Sequence, residues 1–301
     1  MMRRALGFAV RAAVFGALCF YLWKKTSAML GAVSWSGVSW RLFLGTAALS
    51  LSINIVLAGL KYNRLYRFWA IPVSCGEALR LEAATASASL VFPAKSENLL
   101  RAAYLSRTRG CRYSRALSAS AYHLYTNLVA LLLATSVSFA FHRASLWYCG
   151  AIGGCLVLAA DAALVALVRG ATSEAGVPRN VSAAVHGAFL LVSIVYVSSN
   201  TLFFCLLARS FHLVVPFGTL CFYSYLIGLA TYLPVSLAGL GLREASAVTL
   251  LAGAAPEAVV LGCALAVTML EKFLPMVIGL PFLFTLTPVA ARESRGRERD
   301  A

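Results

Sequence analysis

Phe92-Pro93-Ala94-Lys95-Ser96-Glu97-Asn98-Leu99-Leu100-Arg101 breaks an apolar chain with a proline and then presents charges of both signs. A second stretch does the same: Leu233-Pro234 leads through Gly239 and Gly241 to Arg243 and Glu244. The two fall at comparable places in the two halves of the sequence. In lipid, helices break only where the freed backbone groups line a protein cavity, because no water is there to satisfy them. A matched pair of interrupted apolar segments is therefore a sign of a transporter's substrate site. The fold expected is all-α: a polytopic helical membrane protein of about six full spans plus two re-entrant or broken helical hairpins, arranged as an inverted repeat.

Composition agrees. Of 301 residues, 60% are hydrophobic and only 12% charged, where a soluble domain is roughly a quarter charged. The net charge of +15 does not mean a nucleic-acid partner. The basic residues cluster between apolar runs, as the positive-inside bias of membrane proteins requires. The eight cysteines form no CxxC pair and no Cys/His spacing suited to zinc. Cys19, Cys155, Cys205 and Cys263 lie inside apolar runs and read as small packing residues. No metal or cofactor is expected.

Arg3 and Arg4 precede an apolar run from Ala5 to Trp23. It resembles a signal peptide but has no small-x-small cleavage site, so it is read as an uncleaved first helix. Further long helices are expected at 41–60, 116–141, 146–168, 181–207 and 256–286. Regions 78–93 and 214–253 are shorter or broken and read as hairpins, the second punctuated by Pro216 and Pro234. One integral membrane domain then covers 1–288, with repeats at 1–141 and 146–286 and a charged tail at 289–301.

Charge sets the direction. With a cytoplasmic N-terminus, Arg3, Arg4, Lys61, Arg64, Arg67, Lys95, Arg107, Arg109, Arg112, Arg115, Arg169, Arg179 and the Arg292–Arg299 tail all come out cytoplasmic, while Lys24, Lys25, Arg41, Arg143 and Arg209 fall outside. That bias requires 78–115 to enter and leave on the cytoplasmic side and 214–253 on the outer side. Both termini are expected in the cytoplasm of a bacterial cell, the chain lying in its inner membrane.

Ser96 is a candidate N-cap, and Glu97 suits the first turn of a helix. Glu97 and Arg101, four apart, share a face, which fits either a substrate site or a surface ion pair at a cytoplasmic helix start. Gly239 and Gly241 permit a tight turn or a close approach to a ligand. Arg243 and Glu244 then open an apolar helix; a capped surface loop is the alternative. Glu271 and Lys272 sit midway along the last apolar run, with Pro275 expected to kink it. Ionisable groups at such depth are functional candidates by default. His123 and Asn127, four apart on one helix, Asp161 and Asn200 serve equally well as interhelical hydrogen-bonding residues. Glu77, Arg80 and Glu82 read as the interfacial start of the first hairpin, and Tyr62–Trp69 as an aromatic interface belt.

At the two broken segments the chain resembles the flippase-like integral membrane family that includes the transmembrane domain of lysylphosphatidylglycerol synthase/flippase proteins. The second family motif is matched by Pro234, Gly239, Gly241, Arg243 and Glu244, with Ala238 in place of a glycine. Lys272 stands where a late Arg is expected, and Gly279 matches the glycine after it. In the first motif Pro93 and Arg101 match, while Glu97 takes a Gly position and Asn98 a Glu position. Acidic and basic residues of the family's fourth helix are replaced around Tyr122, His123 and Asn127. The resemblance covers about 41 to 284 and implies movement of lipid between leaflets, without the aminoacyl-transferring domain.

The candidate substrate-binding residues are therefore Arg101, Glu97, Asn98, Gly239, Gly241, Arg243, Glu244, Glu271, Lys272, His123 and Asn127. Arg101, Arg243 and Lys272 would hold an anionic headgroup, and Glu97, Glu244 and Glu271 would orient those cations. The expected partners are membrane lipids, with a second copy or a lipid-modifying enzyme as further candidates. No Walker motif, GxSxG elbow, HExxH or dinucleotide fingerprint is present, so a carrier is expected rather than an enzyme. The alternatives are a non-transporting scaffold or accessory subunit for a lipid or envelope biosynthetic enzyme, and a membrane-embedded lipid-modifying enzyme.

Overall fold

The computed structural model describes residues 37–88, 97–171, 182–232, 242–253 and 255–282. The first apolar run (5–23), the segments carrying Pro93, Pro234, Gly239 and Gly241, and the charged tail lie outside the described residues.

The described chain is helical: α1 Trp40–Phe68, α2 Cys75–Ala88, α3 Glu97–Arg109, α4 Tyr113–His142, α5 Trp147–Ala171, α6 Ala183–Ser210, α7 Phe217–Ala230, α8 Leu242–Leu250 and α9 Glu257–Phe282. Five of these, α1, α4, α5, α6 and α9, are long and apolar enough to cross a bilayer. They correspond to the five later spans read from the sequence, and the protein is an all-α polytopic membrane protein. Both α2 and α7 are 14 residues long, about 21 Å of helix against a hydrocarbon core of about 30 Å. Neither can cross alone. Each precedes a second short helix, α3 or α8, as expected of a hairpin.

The turns that lead into these short pairs match in detail. Ala70 follows α1 with φ 52° and His212 follows α6 with φ 55°, both in the left-handed region. Around Ala70, Ile71 N donates to Tyr66 O at 2.8 Å and Ala70 N to Arg67 O at 3.0 Å. Around His212, Leu213 N donates to Ala208 O and His212 N to Arg209 O, both at 3.0 Å. This is the same paired closure of a helix C-terminus. Ala70 and His212 are 142 positions apart, as are the first and last residues of α2 and α7. Arg101 and Arg243 share that spacing.

The long central helix α4 packs against α3, α5, α6 and α7. One core forms where α6, α7, α8, α9 and the start of α1 meet, with Phe203, Leu207, Leu251, Ala264 and Val267 buried. A second lies beside α2 and α3, built on Tyr62, Leu65, Tyr66, Trp69, Leu81 and Leu105. The helix α5 is peripheral: 11% of its apolar window is buried, against 56% for α9. Its exposed Ile152, Leu156 and Leu158 suit a lipid face.

Three sequence expectations are corrected here. The stretch Tyr62–Trp69 is not an interface belt: Tyr62, Leu65, Tyr66 and Trp69 are all buried, on the i, i+3, i+4, i+7 stripe of one helix face, while Arg64 and Arg67 point outward. Lys61, counted with the cytoplasmic loop charges, is buried near the end of a span that runs on to Phe68. Glu82, grouped with the interfacial Glu77 and Arg80, turns inward with Ala78, Leu81 and Thr85. Glu77 does face outward, where its carboxylate pairs with Arg109.

Candidate functional site

Both α1 and α9 leave regular helical geometry where they approach each other. Residues Ser52–Leu57 of α1 and Met269–Phe273 of α9 form π turns, a widening frequent at functional sites. In α9 the cause is local: Pro275 has no N–H for the carbonyl of Glu271. In α1 the Ser50 hydroxyl donates across to the Leu270 carbonyl at 2.9 Å, tying the two widened segments together. The kink expected at Pro275 is thus a π turn, and Glu271 and Lys272 lie in it.

The last part of α9 is pressed against the first short helix. The Ser87 hydroxyl donates to Met276 O at 2.8 Å, and a side chain at Gly279 would collide with Ala83 O and the Ser87 hydroxyl. On the other side of α9, α8 brings Glu244 to Thr268, whose hydroxyl donates to Oε1 at 2.6 Å. Elements of both short pairs therefore converge on α9.

They enclose a polar cavity of about 230 Å³ lined by Glu82, Glu97, Arg101, Arg243, Glu271 and Lys272, with His123, Asn127 and four tyrosines, Tyr62, Tyr196, Tyr225 and Tyr232, completing much of the wall. That volume falls below the roughly 300–1,000 Å³ of drug-sized sites.

Arg101, 4% exposed, is held from four directions. Its guanidinium donates to Glu82 Oε2 at 2.6 Å, Thr85 Oγ1 at 3.0 Å, the Tyr62 hydroxyl at 2.5 Å and Asn98 Oδ1 at 3.1 Å. It also sits 4.2 Å from the Tyr62 ring centroid, a cation–π distance. On the other side of that ring system, His123 stacks on Tyr62 at 4.0 Å. The Asn127 amide approaches His123 Nε2 at 3.1 Å. Asn127 Oδ1 in turn accepts from Lys61 Nζ at 2.5 Å, and Lys61 also donates to Ser193 Oγ at 2.6 Å. A connected polar chain runs from α6 through α1 and α4 to the first short pair.

The second short pair contributes a simpler contact. Arg243 NH1 lies 2.6 Å from Glu271 Oε2. The approach has the distance of an ion pair without the angle of a hydrogen bond at that nitrogen, so the contact is coulombic. Lys272 and Glu97 line the same cavity and form no ion pair or hydrogen bond among the described residues.

Of the residues singled out from the sequence, Arg101, Glu97, His123, Asn127, Arg243, Glu271 and Lys272 come together on this cavity. Asn98 stands behind it, against Arg101 and Tyr62, and Glu244 is buried on Thr268. Gly239 and Gly241 lie outside the described residues. Sequence reasoning missed Glu82, Thr85, Tyr62, Tyr196 and Lys61. Helical spacing could have found the first two, since Ala78, Leu81, Glu82 and Thr85 share one face of α2.

Asp161 belongs elsewhere. It pairs with His186 at 2.9 Å and accepts a hydrogen bond from Tyr125, while Tyr122 meets the other nitrogen of His186 at 2.7 Å. This set ties the peripheral α5 to α4 and α6, which is the interhelical role. Cys111 lies in the turn before α4, and burial pushes its thiol up, away from a reactive thiolate. No group of three or more His, Cys, Asp or Glu side chains suited to a metal gathers among the described residues.

Residues 8–279 match the family described as lysylphosphatidylglycerol synthase TM region. The chain belongs to that family. The match covers four of the five described spans, both short helix pairs and α9 as far as Gly279, so the cavity lining lies within the family region. Among curated proteins, none matches the chain. The protein is thus an integral membrane member of a lipid-related family, with a polar cavity among its helices.

Proposed function

We propose that the protein moves a phospholipid with an anionic or modified headgroup between the leaflets of a bacterial inner membrane. The headgroup passes through the polar cavity while the acyl chains stay in the bilayer. The observation that carries this is the meeting of Arg101 and Arg243, one from each short helix pair, on a single cavity of about 230 Å³. Intramembrane charge is costly, by at least about 2.5 kcal/mol per group on insertion scales, and six charged side chains around one void need a functional reason.

The repeat supports alternating access. If neither short pair crosses, α1 and α6 are separated by the spans α4 and α5 and run in opposite directions, so the matched segments at Ala70 and His212 open from opposite sides. Two inverted halves, 1–141 and 146–286, would rock about the cavity. Both termini are cytoplasmic on the charge bias. The protein acts as a carrier and not as an enzyme.

The test is transbilayer movement of fluorescent phospholipids in proteoliposomes, across several headgroups. Movement faster than in protein-free liposomes is expected; none faster for any headgroup rejects the proposal. A second reading, a scaffold for a lipid-modifying enzyme, draws on the fact that both cavity arginines are already neutralised by Glu82 and Glu271. On that reading Arg243→Ala disrupts co-purification with the partner and leaves lipid movement at the protein-free rate in both forms.

A further inference from the structure

The charges around the cavity are not left in equal states. Arg101 is engaged by Glu82 at 2.6 Å and Arg243 by Glu271 at 2.6 Å. Those two pairs cancel. What remains on the wall is one cation, Lys272, and one carboxylate, Glu97, each without an ion-pair partner among the described residues. Among the described residues the charged side chains on the wall balance, three basic against three acidic.

We infer that the cavity takes a zwitterionic phospholipid headgroup with one phosphate and a single ammonium, of the ethanolamine kind, Lys272 meeting the phosphate and Glu97 the ammonium. This rests on the transport reading above and puts a zwitterionic headgroup in place of an anionic one. An anionic headgroup would satisfy Lys272 and add net negative charge beside an unpaired Glu97, in surroundings where a lone charge is expensive. A zwitterion satisfies both and leaves the site neutral, so selection follows from charge complementarity. The tyrosine-rich wall, with Tyr196, Tyr225 and Tyr232 besides Tyr62, offers further π faces to an ammonium. Glu97 opens α3 and Lys272 lies in the π turn of α9, so a headgroup held by both bridges the first short pair and the last span.

The test uses the full-length chain in vesicles of one fixed host composition. Trace phosphatidylethanolamine and phosphatidylglycerol carry the same fluorescent acyl chain, so they differ only in the headgroup beyond the phosphate. Protein-dependent movement of the ethanolamine lipid is expected to be about tenfold faster or more, the size of preference one well-placed charge contact supports. Glu97→Gln should bring the two rates together by slowing the ethanolamine lipid, and Lys272→Gln should slow both. Equal rates in the unaltered protein, faster glycerol lipid, or a preference untouched by Glu97→Gln overturns the zwitterion assignment while leaving transport intact. Neither lipid moving faster than in protein-free vesicles removes the transport reading and this inference together. The comparison in the unaltered protein decides the matter even if a variant fails to fold.

Discussion

Arg101 shows how a single buried cation is made tolerable. Four donor contacts and a tyrosine face replace its water, and Glu82 supplies the opposite charge. Removing one partner leaves the other charge uncompensated, so Glu82→Ala should cost about 3 kcal/mol. The double variant Glu82→Ala/Arg101→Ala should cost less than the two single changes summed, with a coupling of at least about 1 kcal/mol. Thermal unfolding of the four proteins in detergent measures it, and zero coupling would mean the pair does not act as a unit. Asp161 predicts a different profile. Asp161→Ala should lower stability by about 1 kcal/mol and leave lipid movement per folded molecule unchanged in proteoliposomes, because its partners His186, Tyr122 and Tyr125 lie off the cavity wall. Arg101, Arg243, Glu271 and Lys272 were legible in the sequence because charge inside apolar sequence stands out. Glu82 and Lys61 were not, because each sits among other charged residues at a segment boundary, and only the direction of the side chain tells an inward charge from an outward one.

Among the elements, α2 and α9 approach closely. Gly279 lies directly against the backbone of α2, where any added side chain meets Ala83 O and the Ser87 hydroxyl. Small residues permit such approach between membrane helices. Gly279→Leu should push α9 away from the first short pair, displace Glu271 and Lys272 from the cavity, and lower stability by about 2 kcal/mol or more. Thermal unfolding checks it; an unchanged transition would show that the two helices are not in fixed contact. The sequence offered Gly279 by resemblance alone, since the partner backbone is far away along the chain, as the Ser87–Met276 bond spans 189 positions. The π turns were also out of reach. Pro275 announced a distortion in α9 but not its type, and α1 carries no proline at Ser52–Leu57. The five described spans, by contrast, were legible to within a few residues except at the end of α1. There the tyrosines and arginines of 61–68 alternate around the helix, and composition without phase suggested an interface.

At the scale of the whole molecule, two short helix pairs built to one plan meet on one polar cavity. The proposed opposite orientation of the halves has a direct consequence for access. In a cysteine-free background, a single cysteine at Arg112, before α4, should react with a membrane-impermeant maleimide only after cells are opened, and one at Arg143, after α4, should react in intact cells. Labelling of both from the same side would rule out the proposed inversion. The repeat escaped the sequence in detail because its strongest marks are backbone ones: Ala70 and His212 share a left-handed conformation but no chemistry. The central claim is that a lipid headgroup passes between Arg101 and Arg243. It is tested most directly by the initial rate of phospholipid movement in proteoliposomes of the unaltered protein and of Arg243→Ala and Lys272→Gln, at equal protein-to-lipid ratio and with folding checked by thermal unfolding. Movement well above protein-free liposomes is expected for the unaltered chain, with a fall to about that baseline, at least tenfold, for both folded variants. Folded variants that move lipid as fast as the unaltered protein would contradict it.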